Sequence, residues 1–214
     1  MVSWVRQPRV VAADLSMPRL GPAPYLTQMN GHPNETMNCV PTTLSMLVAK
    51  LNPGWAARAG TGDRLIAAVS HAMRTLDGST GVSGLASFAT LDVLGRELGL
   101  SMRLSSGLDL NALRGELLKG RQVMLIGDAY ALPYADLAQQ RGALFDDAGH
   151  VLAVTGYDAR TGGFLVNDPA HPSKGPVLMH GLDLVAFIAA LGQNIDGTNV
   201  GSTIVVDSAA WPRR

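Results

Sequence analysis

"NETMNCVPTTLSMLVAKLN", residues 34–52, contains the only cysteine of a 214-residue chain and places it where a helix is about to begin. Pro41 is tolerated in a first helical turn, because the N–H it lacks would have had no partner within the helix there. The apolar run after it reads as helix, and the Asn-Pro pair at 52–53 ends it. Cys39 is thereby set at the positive end of a helix dipole, a position that favours a thiolate and makes the residue a plausible nucleophile. A lone cysteine is otherwise a small apolar side chain, so the rest of the sequence has to decide between filler and chemistry.

Composition narrows the choice. The chain is 47% hydrophobic and 16% charged, with 17 basic residues balancing 17 acidic ones. Nothing in that balance points to nucleic acid or an anionic membrane surface. One cysteine can supply neither an internal disulfide nor a multi-thiolate metal site. No uninterrupted apolar stretch approaches the roughly 20 residues of a membrane span, and residues 1–22 lack the apolar core of a removable signal. The expectation is therefore a loose leader over residues 1–22 and one domain over 23–214. Its location is expected to be cytoplasmic, or outside the cell by a specialised export route.

Helical spacing recurs at Leu65, Ile66, Val69, Ala72, Met73 and Leu76, and again at Phe88, Leu91, Leu94 and Leu98 within 84–100. "SMRLS" (101–105) reads as a strand. "DLNALRGELLKGR" (109–121) reads as a helix capped by Asp109, and "QVMLIG" (122–127) as a buried strand. The second half turns β-rich. "HVLAVTGYD" (150–158) and "GFLVNDP" (163–169) form a hairpin across "ARTG", followed by a helix at "GLDLVAFIAALG" and a strand at "STIVVDS". If the turn centres on Arg160, Asp168 lies opposite Leu152 and faces the same side as His150, a diagonal neighbour roughly 7–8 Å away. A slip of one residue would set Asp168 opposite Ala153 and turn Asn167 toward His150 instead. The layout is α+β: a helical first half, with the cysteine at a helix N-terminus, packed on an antiparallel sheet that carries the histidine and the aspartate.

These residues resemble the bacteriocin-processing, double-glycine-leader cysteine peptidases and their stand-alone papain-like relatives. The likeness lies in "PYLTQ" before "NCVPTTLSMLVAKL" and in "GHVLAVTGYD" before "FLVNDP", in that order, between about Tyr25 and Pro169. Val40 stands where the family has glycine. The resemblance implies a papain-like fold with Cys39 as nucleophile, His150 as general base and acid, Asp168 as its orienting partner and Gln28 as an oxyanion donor. It implies hydrolysis through a thioester acyl-enzyme, foremost of an amide bond in a peptide or protein, with no cofactor and no metal. Cleavage of peptidoglycan peptides, deamidation of a protein glutamine and a binding module that has lost turnover are the alternatives. The segment "DAYALPYADLAQQRGALFDDAG" (128–149) reads as an insertion able to cover a cleft. His32, His71, His171 and His180 lack the spacing of a metal-binding pair.

Overall fold

The computed structural model describes residues 23–31, 35–77, 88–136, 149–191 and 202–209. The helix opened by the cysteine, α1 (Cys39–Leu51), lies deep in the core, with every residue from Val40 to Val48 buried. A helix apolar on all sides belongs in a core rather than on a surface. Two of its hydroxyls turn back onto backbone: Ser45 Oγ donates to Pro41 O at 2.6 Å, and Thr43 Oγ1 to Val151 O at 3.2 Å. Asn52 ends α1 but also begins α2 (Pro53–Ala59), a helix that the sequence reading missed. Its side chain accepts from Trp55 N, and Pro53 fills the first helical position. The Asn-Pro pair taken as a stop is thus equally a cap followed by an N1 proline.

α3 (Asp63–Asp77) follows the periodicity read from the sequence. α4 (Phe88–Glu97) lies inside the span read as helix, of which residues 84–87 fall outside the described residues. α5 (Leu110–Leu118) starts on the expected cap, Asp109 Oδ1 accepting from the backbone N–H of Asn111 and Ala112. α6 (Gly181–Ala190) is capped by His180, which engages that residue in a local structural role.

Among the described residues the sheet has six antiparallel strands: β1 (Leu100–Ser106), β2 (Gln122–Asp128), β3 (Gly149–Asp158), β4 (Gly163–Asn167), β5 (Val177–Met179) and β6 (Ser202–Ser208). Their order is β1-β6-β2-β3-β4-β5, so the last strand in sequence lies between the first two. β5, only three residues long, was not anticipated.

The sheet is covered on both faces. Met124, Ile126, Val151 and Ala153 pack with α1, α3 and α4, while Val123, Leu125, Leu152 and Val154 pack with α5 and α6. Strands buried on both sides read as unbroken apolar runs, which is the character of "QVMLIG". The helices are therefore not confined to one layer, and the sheet draws a central strand, β2, and an edge strand, β1, from outside the β-rich half.

Gly127 marks where α6 comes closest to the sheet. It pairs with His150, and a Cβ there would meet the Phe187 carbonyl and lie 2.5 Å from Phe187 Cδ1. Gly127→Ala should lower stability by about 3 kcal/mol, since the backbone and the buried ring of Phe187 leave nothing free to yield. Gly115→Ala, within α5 where a Cβ meets nothing within 4 Å, should instead raise it by about 1 kcal/mol. Urea unfolding of the two variants beside the parent checks both signs.

Candidate active site

The β3–β4 hairpin turns through residues 159–162, with Asp158 Oδ1 accepting from Arg160 N and Oδ2 from the Thr161 hydroxyl. Asp158 faces Gly163, so the turn does not centre on Arg160. Carried on unchanged, that register would set Asn167 opposite Val154 and point it to the side of His150. A bulge intervenes: Val154 pairs with Val166 and Gly156 with Leu165, so Thr155 is an extra residue on β3. Beyond it Asn167 faces Ala153, and one step on Asp168 falls opposite Leu152.

The side chains follow that register. His150 Nε2 and Asp168 Oδ1 are 2.7 Å apart, each side chain 1% exposed. Asn167 points away, its Nδ2 donating to Ala23 O at 3.0 Å. Asp168 Oδ1 also accepts from Ala170 N at 2.8 Å, and Oδ2 accepts from the Tyr134 hydroxyl at 2.5 Å. Tyr134 belongs to the segment read as a cleft-covering insertion. Its first part, 129–136, instead enters the core through Ala129, Leu132, Tyr134 and Ala135, while 137–148 lie outside the described residues. No spacing rule links Tyr134 to a residue 34 positions later; the one hint is that a buried tyrosine requires a partner for its hydroxyl.

Cys39 is the first residue of α1 and is partly buried against the core. One turn on, the Thr43 hydroxyl holds the helix to Val151, the neighbour of His150 in β3. His150 Nδ1 has no well-formed hydrogen bond among the described residues, although the Cys39 thiol is near enough to act on the ring. Phe187 of α6 meets the ring edge-on, centroids 6.5 Å apart. Val40 is buried at 2% exposure, so its side chain fills core. Gln28 is fully buried, its Nε2 donating to Glu35 O at 3.0 Å just before α1 and its backbone N–H to Pro169 O. With Thr27 Oγ1 on the same carbonyl and the Tyr25 hydroxyl on Asp168 O, residues 25–28 strap the Asp168–Pro169 turn to the entrance of the cysteine helix.

A family model, Peptidase_C39 like family, matches residues 22–181. The chain belongs to that family. Its α+β architecture, with the cysteine at the start of the first helix, matches the fold expected for a C39-like chain. A crystal structure described as a candidate C39-like peptidase from Bacillus anthracis is similar at 14% identity and a TM-score of 0.47, over 85% of this chain and 94% of that one. No curated protein sequence matches significantly. Among the described residues of this C39-like chain, no group of three or more His, Cys, Asp or Glu could hold a metal, and no helix is long and apolar enough to cross a membrane.

Electrostatics join the buried groups into one unit. Burial works against a charged His150 ring, but the Asp168 charge and hydrogen bond outweigh it, the Cys39 thiol adds to them, and the histidine rises from 6.5 to about 10. Burial likewise opposes the Asp168 carboxylate, yet His150, Tyr134 and the Ala170 N–H hold it below its ordinary 3.8. Tyr134 is pushed well above the usual phenol range by burial and by Asp168. The raised histidine stabilises the fold fully below pH 6.5, and that contribution is lost as pH rises through about 10. The lowered aspartate contributes above pH 3.8 and loses its effect as pH falls through its depressed value. The stability advantage of the parent over Asp168→Asn should therefore be greatest between pH 3.8 and 6.5 and shrink toward pH 10, as read by urea unfolding across that range.

Proposed function

We propose that the protein is a cysteine peptidase in which Cys39, His150 and Asp168 act as a catalytic triad. The observation that carries this reading is the buried His150–Asp168 pair, which engages Nε2 and leaves Nδ1 as the ring nitrogen for the thiol at the start of α1. Membership of a peptidase family supports it and makes peptides or proteins the substrate class.

His150 Nδ1 takes the Cys39 proton, and the thiolate attacks the carbonyl carbon of the scissile amide. Asp168 fixes the ring through Nε2 and stabilises the imidazolium that forms. A histidine raised to about 10 keeps its proton at neutral pH and can then deliver it to the departing amine nitrogen. The C–N bond breaks and the acyl group remains on sulfur as a thioester. Water, giving its proton to His150, hydrolyses the thioester and restores the thiol. The oxyanion of each tetrahedral intermediate is received by the Cys39 backbone N–H and Gln28, the latter held at the cysteine loop by its contacts with Glu35 and Pro169.

Cys39→Ala and His150→Ala should each remove turnover, and the double variant should be little worse than either, because the pair acts as one unit. Mass spectrometry of peptide, ubiquitin-like and peptidoglycan substrates, with wild type beside Cys39→Ala, reads both the reaction and its target. Product formation by Cys39→Ala would sink the assignment, and a one-dalton gain on glutamine without cleavage would redirect it to deamidation. Asp168→Asn should slow turnover by about a hundredfold or more. Asn167→Ala, which releases Ala23 and Pro24, should chiefly lower stability, by about 1 kcal/mol in thermal or urea unfolding.

A further inference from the structure

Asp168 has two carboxylate oxygens, and only Oδ1 serves His150. Oδ2 is taken by the Tyr134 hydroxyl, and both side chains are buried, Tyr134 at 5% exposure and Asp168 at 1%. The terminal torsion of an aspartate is broad and twofold, so burial alone does not decide how its carboxylate is turned. The Ala170 N–H holds Oδ1, and a directed donor on the second oxygen completes the hold.

We propose that Tyr134 is a positioning residue for the triad, its hydroxyl holding the Asp168 carboxylate so that Oδ1 stays on His150 Nε2; this rests on the Cys39–His150–Asp168 reading.

Three features support it. The hydroxyl keeps its proton, because burial and the adjacent carboxylate both oppose the phenolate, so it is a donor throughout the working range. The ring is itself held: it meets His171 edge-on at 4.3 Å between centroids, and the chain around it is anchored by buried Ala129 and Leu132. The other nearby phenol does not duplicate the contact, since Tyr25 donates to the backbone carbonyl of Asp168 rather than to its carboxylate. The titratable groups around Asp168 are thus His150 from β3, Tyr134 after β2 and Tyr25 from the N-terminal strap. Cys39 lies beyond the His150 ring and His171 against that of Tyr134.

The test is the pH profile of Cys39 alkylation by iodoacetamide on the full chain, in wild type, Tyr134→Phe, His150→Ala, Asp168→Asn and the Tyr134→Phe/Asp168→Asn double variant. Tyr134→Phe keeps the ring and removes only the donor. It should slow alkylation at neutral pH about tenfold and move the acidic limb to higher pH, because a carboxylate turned from Nε2 no longer supports the imidazolium. In the Asp168→Asn background the same change should add nothing. A Tyr134→Phe profile that superimposes on wild type, even with a lower melting temperature, reduces Tyr134 to a structural role and overturns the inference. A limb moved to lower pH overturns it too, since charge withdrawal rather than positioning would then dominate. If Tyr134→Phe alone does not fold, the double variant decides against Asp168→Asn, from which the buried charge has gone: coincident profiles support the inference, and a further loss refutes it. His150→Ala separates the two levels. No shift there removes the triad reading itself, whereas a shift there with none in Tyr134→Phe removes only the role of the tyrosine.

Discussion

A carboxylate sealed from water is the constraint around which this fold is arranged. Moving such a charge from water into a protein interior costs several kcal/mol even after relaxation, and it is tolerated only where partners replace the lost hydration. Asp168 draws those partners from distant parts of the chain: the His150 ring from β3, the Tyr134 hydroxyl from the segment after β2, and the Ala170 N–H from its own turn. Its backbone carbonyl takes the Tyr25 hydroxyl, and the next carbonyl, that of Pro169, takes Thr27 and Gln28. Any arrangement that misplaced the hairpin, the strap or the 129–136 segment would leave a buried charge short of partners. The site and the fold are specified together for that reason.

β3 is the element through which the parts communicate. Its start carries His150, its second residue's neighbour Val151 accepts from Thr43 of the cysteine helix, and Gly127 across from His150 leaves room for Phe187 of α6. With helices on both faces, the strand is gripped from either side. A histidine that keeps Nε2 on a buried aspartate gains from such a mount, since a small rotation would break that contact.

Val40, at the position where the sequence resemblance expects glycine, is part of the core. It is the first core residue of α1, in contact with the cluster that contains Leu44, Leu47 and Val69. Gln28 is similarly explained by structure as well as by resemblance: whatever it donates to an oxyanion, it also links the Pro169 turn to the loop before α1.

The linear pattern alone determined most of the elements, because apolar residues at helical or strand spacing commit a segment wherever its neighbours lie. α3, α5, β2 and β3 were legible in that way, as were Cys39 at a helix start and the Asp109 cap. α2 escaped because one Asn-Pro pair both ends a helix and begins another, and β5 because three residues carry no period. The choice between Asp168 and Asn167 belonged to tertiary structure. Thr155 reads as an ordinary strand residue, and nothing local says that it will be left unpaired; yet its bulge restores the phase that the off-centre turn had shifted. Register is a property of two strands and of what must be buried between them. The same holds for Tyr134, whose hydroxyl meets Asp168 only once the sheet has brought residues 34 apart in sequence to one buried point.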